Sequence, residues 1–354
     1  MKRILTHISL SLTTLLLTFG ILETTARLWK WEWRLANFLV AELRYVREAY
    51  PARYDAELGW IPRPGSWPEG ALWGKKVTIT ADGLRSNGRE QEQGDLPDSP
   101  LVIAAGDSFT FGDEVSDRET WPAALEQLLG TPVINAGVFG YGFDQTCLRA
   151  KALIGKYAPD LVILSLISDD VRRCELSQRS GAGKPYFQIE EGRLQLHNQP
   201  VPPPTGLDLG TFKEVTGYSF FFYKLMRKAF PSYWLEGSLS RTVNTRGEEI
   251  ACLLVRQMAG IANQRAIHLV LLIQYEKNPS SSSLEVIARL LHCVRSERVQ
   301  VVDLREDLMA IKRRDPKEYA RLFTTHITAR GNQLVARALQ EALRESAHSR
   351  DPRE

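Results

Sequence analysis

Five short apolar runs alternate with segments of helical periodicity from residue 101 onward, and this alternation limits the possible folds most. The apolar runs lie at 101–105, 132–135, 160–166, 267–274 and 299–303, and the helical segments at 119–129, 144–157, 247–264, 283–296 and 332–346. Apolar runs of four to eight residues without a polar face are typical of strands buried on both sides. Strands that alternate with helices predict an α/β fold with a parallel sheet covered by helices.

An apolar segment from Ile4 to Leu22 opens the chain after two basic residues. About 20 apolar residues suffice to cross a bilayer as a helix. Trp29, Trp31 and Trp33 follow the segment, as an aromatic belt at a membrane interface does. The segment therefore predicts a transmembrane helix within residues 1–24.

A cleavable signal peptide is the alternative for the same segment. Thr24 and Ala26 make a poor small-residue cleavage site, and the apolar run is long for a signal peptide, so an uncleaved anchor is the favoured interpretation. Basic residues flank the run on both sides, so they favour an inside N-terminus only slightly. In either case the rest of the chain is exported.

The cysteine count and the charge balance say little about partners. Cys147, Cys174, Cys252 and Cys293 show neither metal-ligand spacing nor a CxxC pair, so both disulfides and buried free thiols stay open. The net charge is +3, and no Lys/Arg block indicates nucleic-acid binding. We expect no nucleic-acid partner, no metal site and no cofactor.

Changes in composition predict the domain boundaries. The predicted parts are a helical stalk at 25–50, a small β-rich lead-in at 51–100, the main α/β domain at 101–346 with an insertion at 175–245, and a tail at 347–354. The insertion contains "KPYFQIEEGRLQLH", which predicts a hairpin, then "PVPPP" and the aromatic stretch "YSFFFYKLMRKAF".

Four glycine-rich or polar motifs stand where strands end or before the last helix, and ligand sites of parallel sheets lie at the carboxyl ends of strands. They are "GDSFTFG" (106–112), "NAGVFGYG" (135–142), "ISDDVRR" (167–173) and "TTHITARGN" (324–332). None matches the P-loop, the dinucleotide-binding GxGxxG pattern or the GxSxG elbow, since Asp113 follows Gly112 and Thr110 occupies the last elbow position. Gly106 predicts a sharp turn that presents Ser108.

The four motifs in this order resemble the blocks of the SGNH hydrolases, also called GDSL esterases and lipases. The resemblance implies that Ser108 is the nucleophile and His326 the general base. It also implies an oxyanion hole built from the backbone N–H groups of Ser108 and Gly140 and, at the position of the family's asparagine, the Ser168 hydroxyl. The lead-in resembles a membrane-anchored bacterial branch associated with cell-surface polysaccharides. With the strand alternation, the block order predicts a flavodoxin-like three-layer sandwich with strand order 2-1-3-4-5.

Two positions depart from the family pattern. Ser168 replaces the asparagine if Asp169 takes the position of the family's aspartate, and Phe323 stands where the Asp-x-x-His acid is expected. The second departure predicts a Ser–His dyad whose histidine is oriented by Thr324, Thr325 or a backbone carbonyl. On that reasoning, Phe323→Asp restores the family's acid.

The predicted function is ester hydrolysis or O-acetyl transfer on a cell-surface carbohydrate, from the bacterial inner membrane, with the catalytic domain in the periplasm or outside. The expected partners are an acylated carbohydrate or small ester and the membrane. An impaired SGNH-fold binding or assembly protein of polysaccharide biosynthesis is the alternative. Simpler roles stay open: a helix cap for Ser108, a turn for Gly140, a lone surface histidine for His326, and loop hydrogen bonds for Asp107 and Asp169.

Overall fold

A computed structural model describes residues 2–89, 101–204 and 209–348. Parts of the predicted lead-in (90–100), insertion (205–208) and tail (349–354) lie outside the described residues. The chain forms two compact units. The helical unit comprises Met1–Tyr50, Gln178–Ala182 and Pro204–Arg241, and the sheet unit comprises Pro51–Ser177, Gly183–Pro203 and Thr242–Glu354.

The strands and helices are numbered here in chain order. The strands are β1 Ala52–Asp55, β2 Gly59–Pro62, β3 Gly65–Leu72, β4 Lys75–Ile79, β5 Val102–Ala105, β6 Val133–Asn135, β7 Leu161–Leu166, β8 Leu176–Arg179, β9 Ala182–Gly183, β10 Tyr186–Glu190, β11 Arg193–His197, β12 Arg241–Thr242, β13 His268–Ile273 and β14 Gln300–Asp303. The helices are α1 Lys2–Lys30, α2 Phe38–Glu48, α3 Ser108–Phe111, α4 Trp121–Leu129, α5 Phe143–Tyr157, α6 Ser168–Arg173, α7 Gly210–Thr216, α8 Phe220–Ala229, α9 Gly237–Leu239, α10 Gly247–Gln264, α11 Ser281–Val294, α12 Arg305–Arg314, α13 Pro316–Arg321 and α14 Ala329–His348. Asp117–Glu119 forms a 3₁₀ turn and Ser232–Glu236 a π-helical turn.

The sheet unit is built on a five-stranded parallel sheet in the order β6-β5-β7-β13-β14. This confirms the predicted α/β fold and the strand order 2-1-3-4-5. Val102 of β5 is level with Val133 of β6 on one side and Leu161 of β7 on the other. All residues of β5, β6 and β7 are buried, which explains why these strands lack a polar face.

Two groups of helices cover the sheet and share its hydrophobic core. Helix α4 packs against α14, and α10 packs against both α5 and α11. Ordinary end signals set the bounds of α4: the Thr120 hydroxyl accepts a hydrogen bond from the Ala123 N–H, and Gly130 ends the helix with φ = 64°. A disulfide between Cys252 and Cys293 joins α10 to α11.

Small antiparallel elements complete the sheet unit. Strands β1 and β2 pair as one hairpin and β3 and β4 as another, within the predicted β-rich lead-in. Strands β10 and β11 form the hairpin predicted in the insertion, with Tyr186 opposite His197. Of the four cysteines, Cys252 and Cys293 form a disulfide, and Cys147 and Cys174 are buried free thiols. Both possibilities that the sequence left open, disulfides and buried thiols, therefore occur.

The helical unit has a separate core contributed by segments far apart in sequence. Its buried side chains come from α2, the insertion and the π-helical turn; they are Phe38, Leu39, Leu43, Leu209, Phe220, Tyr223 and Trp234. Part of the aromatic stretch is therefore core, packed against the N-terminal helices. Within the part of the chain that the structure describes, α1 is the one helix long and apolar enough to cross a membrane.

Candidate active site

The turn after β5 presents Ser108 at the carboxyl end of the central strand. The Asp107 carboxylate accepts a hydrogen bond from the Phe109 N–H (2.9 Å) and so caps the short helix α3, which begins with Ser108. A Cβ atom on Gly106 would lie 2.2 Å from Oγ1 of Thr110, so only glycine fits. The predicted sharp turn at Gly106 therefore needs glycine for close packing rather than for a left-handed φ, because its φ is not positive.

Ser108 and His326 meet although 218 positions separate them. The distance from Ser108 Oγ to His326 Nε2 is 3.0 Å, which is within hydrogen-bond reach. Ser108 is 6% exposed, and the His326 side chain is 16% exposed and lies against the Phe109 ring. The structure thus brings together the two residues predicted as nucleophile and base.

A tight turn before α14 holds His326. The Thr324 N–H donates to the His326 carbonyl oxygen (2.8 Å). The buried Asn332 side chain donates to the carbonyl oxygens of Ile327 and Thr328 and accepts from the Trp121 N–H (2.7 Å). Because Trp121 begins α4, Asn332 fixes the histidine turn to the segment that follows the nucleophile motif.

Glu114 provides a carboxylate on the other side of the imidazole. Its Oε1 lies 3.7 Å from the ring atom Nδ1 of His326. Its Oε2 accepts hydrogen bonds from the Thr324 hydroxyl (2.5 Å) and from the backbone N–H of His326 (3.5 Å). Partial burial opposes ionisation, but these hydrogen bonds and the nearby imidazole keep the pKa of Glu114 below its usual value. Glu114 is therefore a carboxylate at neutral pH.

The backbone of Glu114 is unusual for a residue with a side chain, since its φ is +66°. A left-handed conformation costs a non-glycine residue about 1–2 kcal/mol, and such strain clusters at functional sites. The sequence analysis missed this residue because the acid was expected three positions before His326. The only signal was the pair of acids, Asp113 and Glu114, directly after the first motif.

Two neighbouring positions clarify the missing family acid. The Phe323 side chain is 5% exposed, packs on Tyr319 with ring centroids 5.3 Å apart, and belongs to the main core. A carboxylate at this position would lie among apolar side chains, so we expect Phe323→Asp to destabilise the protein. That Phe323→Asp restores the family's acid stays a prediction. The buried Asp113 has its Oδ2 3.7 Å from Nε2 of His326, on the side that faces Ser108.

The other two predicted oxyanion residues lie at the same sheet edge. Gly140 is in the turn after β6 with φ = 75°, and Ser168 is the first residue of α6 after β7. Strands β6 and β7 both pair with β5, so the loops that follow them lie on the two sides of Ser108. The lead-in supports the Gly140 loop, since the Tyr141 hydroxyl donates to the Trp60 carbonyl oxygen (2.6 Å) and the Trp60 indole N–H donates to the Phe139 carbonyl oxygen (3.1 Å).

A buried ionic cluster connects the loops under the site. Arg173 of α6 contacts Asp170 at 2.6 Å and Asp107 at 3.3 Å, and donates to the Tyr141 carbonyl oxygen at 2.9 Å. Burial, with repulsion from Asp107, raises the pKa of Asp170 well above its usual range. Asp107 is thus a loop-bonding residue. The buried acid of the third motif is Asp170, whereas Asp169 is 42% exposed and pairs with Arg172.

The two acids of the third motif differ in their contacts. The Asp170 carboxylate accepts a hydrogen bond from the Ile167 N–H (2.9 Å), whereas the exposed Asp169 pairs with Arg172. The match of Asp169 to the family's aspartate stays a prediction. A role for the Ser168 hydroxyl stays a prediction that depends on its place at the strand end.

A second buried ion pair anchors the hairpin of the insertion. Lys184 and Asp144 are both fully buried, and the ammonium group also donates to the carbonyl oxygens of Leu176 and Arg173. Asp144 stands in the first turn of α5, directly after the Gly140 loop. Among the described residues, no group of three or more His, Cys, Asp or Glu side chains is arranged to hold a metal ion.

Comparisons with known proteins find similar solved structures only. No family model matches the chain, and no curated protein matches it. A protein described as lipolytic and of the G-D-S-L family, from Desulfitobacterium hafniense DCB-2, is 16% identical; the match covers 69% of this chain and 99% of that one, with a TM-score of 0.38. The lipase/acylhydrolase from Enterococcus faecalis is 11% identical, with 70% and 97% covered and a TM-score of 0.41.

A third similar structure is the psychrotrophic esterase EstA from a Pseudoalteromonas species. It is 11% identical, the match covers 71% of this chain and all of that chain, and the TM-score is 0.39. At these identities and TM-scores, the assignment of a function depends on the geometry of the site and not on the neighbours.

Proposed function

We propose that this chain is a membrane-anchored SGNH-type (GDSL-type) serine enzyme that hydrolyses or transfers O-acyl groups. The contact of 3.0 Å between Ser108 Oγ and His326 Nε2, at the carboxyl end of the central strand, carries this proposal. A nucleophile within hydrogen-bond reach of its base, with a third group facing the far side of that base, is the arrangement of covalent acyl transfer.

The first half-reaction forms an acyl-enzyme. His326 Nε2 takes the Ser108 proton as Oγ attacks the acyl carbonyl carbon, and a tetrahedral oxyanion forms. When the oxyanion collapses, the bond to the alcohol oxygen breaks, and His326 returns the proton to the departing alcohol. Water or a sugar hydroxyl then attacks the acyl-Ser108 ester by the same steps in reverse, so one site serves hydrolysis and transfer.

The oxyanion is stabilised by donors from the loops that flank β5. We assign this role to the N–H groups of Ser108 and Gly140, with the Ser168 hydroxyl as a further donor. Gly140 is a turn glycine with φ = 75°, and the contacts of Trp60 and Tyr141 hold its loop in place. Loss of one such donor lowers rates by about 10²–10³-fold where it has been measured.

Glu114 takes the role of the acid that the fourth motif lacks. With Nε2 accepting from Ser108, the ring proton is on Nδ1, which faces the Glu114 carboxylate at 3.7 Å. This separation is longer than a hydrogen bond, so in the free enzyme the carboxylate acts through charge. A carboxylate in this position stabilises the imidazolium that forms in the transition state.

An acetyl ester of a cell-surface carbohydrate is the proposed substrate. Its support is the resemblance of the lead-in to the membrane-anchored bacterial branch and of the four motifs to the SGNH hydrolases. In the sheet unit, β1 and β2 of that lead-in buttress the Gly140 loop through Trp60, so the lead-in takes part in shaping the site. Hydrolysis and transfer differ only in the acceptor that enters after the alcohol leaves.

We place the chain in the bacterial inner membrane through α1, uncleaved, with the sheet unit in the periplasm or outside. The far end of α1 belongs to the folded helical unit, which supports the uncleaved form. The Glu23 carboxylate accepts hydrogen bonds from the Ser219 hydroxyl and from the N–H groups of Phe220 and Phe221, and Arg27 donates to the Tyr218 carbonyl oxygen. Cleavage near Arg27 would remove Glu23.

The test is labelling of the full-length detergent-solubilised protein with a fluorescent alkyl phosphonate, together with hydrolysis of p-nitrophenyl acetate. We expect labelling and turnover in the wild type and neither in Ser108→Ala or His326→Ala. Ser296→Ala is the matched control, because Ser296 is an exposed serine in the turn after α11 and should behave as the wild type. Labelling that persists in Ser108→Ala would overturn the assignment of the nucleophile.

The alternative is a binding or assembly protein that keeps the fold without turnover. The observation that favours it is the Nδ1 atom of His326, which has no hydrogen-bond partner among the described residues. A folded wild-type protein that neither labels nor hydrolyses several acyl esters, yet binds an acetylated glycan, would support this alternative against the enzyme.

A further inference from the structure

We propose that the outward face of α7 and α8, with the tryptophan segment 29–33, docks on the surface of an anionic lipid bilayer. The proposal depends on α1 spanning that bilayer, as proposed above. It adds a second membrane contact, made by a segment that lies near the middle of the sequence.

Exposed apolar side chains are concentrated in the helical unit. Among the described residues beyond Leu22, twelve large hydrophobic residues of this unit are exposed, against four in the much larger sheet unit, namely Tyr54, Leu128, Val301 and Met309. Trp29 and Trp31 are 80% and 78% exposed. A concentration of this kind on a folded body marks an interaction surface.

Helix α8 is amphipathic, with a second apolar stripe on its outward side. Phe220 and Tyr223 point into the core of the helical unit. Leu225, which is 46% exposed, stands four residues after Phe221 and so lies on the same face of the helix. On α7, Phe212 and Val215 are exposed and three residues apart, which gives this helix an outward apolar stripe as well.

Contacts between α1 and α8 give the depth of this face relative to the bilayer. The rings of Phe19 and Phe221 pack edge to face at 6.3 Å, and Phe19 lies inside the apolar run of α1. One turn later, Glu23 ends the run and caps the first turn of α8 through the Phe220 and Phe221 N–H groups. Helix α8 therefore begins where the apolar run leaves the hydrocarbon, and its outward face continues the membrane-contacting surface of α1.

The charges on α8 suit anionic headgroups. The helix contains Lys224, Arg227 and Lys228 and no acidic residue. Arg227 pairs with Glu42 of α2 at 2.9 Å, and the ammonium group of the exposed Lys224 lies over the Phe220 and Tyr223 rings. The exposed Lys228 stands three residues after Leu225 and so neighbours it on the helix surface. A basic amphipathic helix with aromatic neighbours is the pattern of segments that lie in the interfacial plane. Continuity with α1 favours the bilayer over a second protein chain as the occupant.

The experiment places an environment-sensitive nitrobenzoxadiazole label at single sites of the full-length chain. Leu225→Cys tests the outward face of α8, and Met309→Cys on α12 is the matched control, an exposed apolar residue of the sheet unit. Of the native cysteines, Cys252 and Cys293 are disulfide-bonded and Cys147 and Cys174 are buried, so the label goes to the new thiol. Each protein is reconstituted into vesicles of phosphatidylcholine and phosphatidylglycerol with and without a headgroup-region nitroxide lipid.

We expect the nitroxide lipid to quench the label at position 225 at least threefold more than the label at position 309. Lys224→Glu combined with Lys228→Glu should remove most of this difference, and so should vesicles of phosphatidylcholine alone. Equal quenching at both positions would overturn the docking. A different result would also overturn the docking: the label at position 225 is not quenched by the nitroxide lipid, but its protection from aqueous iodide increases with protein density. That result would assign the face to a contact with a second copy of the chain.

A carbonate wash of the same vesicles separates this proposal from the anchor. If the chain stays in the pellet while both labels report water, the anchor holds and the docking fails. If the chain is released by the wash, the spanning of α1 fails and the docking fails with it. Esterase activity, measured on the same samples, reports on the catalytic assignment independently of both outcomes.

Discussion

Glu114→Gln removes a negative charge beside His326 and preserves the size of the side chain. At the observed separation of 3.7 Å, two unit charges attract each other by about 4 kcal/mol at an effective dielectric constant of about 20 and by about 1 kcal/mol in bulk water. The Glu114 side chain is 30% exposed and that of His326 is 16% exposed, so the site lies between these limits. The Glu114 carboxylate attracts the imidazolium that His326 forms in the transition state, so loss of this attraction should lower kcat.

Since about 1.4 kcal/mol corresponds to a factor of ten in rate, we expect kcat to fall roughly 100-fold, within limits of about 5- and about 700-fold. KM should change little, because the charge interaction is made mainly in the transition state. A purely structural role of Glu114 would not separate kcat from KM in this way.

The matched control is Glu191→Gln. Glu191 is also a glutamate with a positive φ (48°), exposed in the turn between β10 and β11. We would measure initial rates of p-nitrophenyl acetate hydrolysis for both variants between pH 5 and 9. Glu114→Asp tests whether a shorter carboxylate restores part of kcat. If the kcat of Glu114→Gln stays within twofold of the kcat of Glu191→Gln, the reasoning from charge and distance is refuted.

Three predictions concern stability, measured by urea unfolding. Phe323→Asp should lower the free energy of unfolding by about 3 kcal/mol or more, because it buries a carboxylate in the core; a stable variant with a raised kcat would contradict this. Cys252→Ser should lower it by about 4 kcal/mol, because the disulfide closes a loop with a sequence separation of 41 residues. Dithiothreitol should lower the free energy of unfolding of the wild type by the same amount and leave that of the variant unchanged. Lys184→Met should cost about 3–5 kcal/mol, since Asp144 is left unpaired, and the double variant with Asp144→Leu should recover much of that loss.

The sheet was predictable because the sequence pattern of each strand and helix lies within its own segment. A strand buried on both faces needs an unbroken apolar run, and a helix between two strands needs one apolar stripe, so each element shows its type in its own segment. Helix α5 was predicted at 144–157 and lies at Phe143–Tyr157, and α10 was predicted at 247–264 and lies at Gly247–Gln264. The motif order then placed Ser108 and His326 at one edge.

The acid of the site was not predictable in the same way. Glu114 is six residues after Ser108 but reaches His326 only through the fold, and its left-handed φ has no sequence signature outside glycine. The family pattern pointed to position 323, where the structure needs a large apolar side chain against Tyr319. The helical unit escaped prediction for a related reason, since the partners of its core are distant in sequence.

That separation also sets the order in which the chain can assemble during synthesis. The hydrogen bond between Glu23 and the Phe220 N–H spans 197 residues. At a translation rate of about 5–20 residues per second, Glu23 leaves the ribosome roughly 10–40 s before its partner is made. During that interval α2 has its apolar residues Leu39 and Leu43 uncovered by the insertion. A nascent chain stalled before residue 220 should therefore recruit holdase chaperones, and one stalled well beyond α8 should release them.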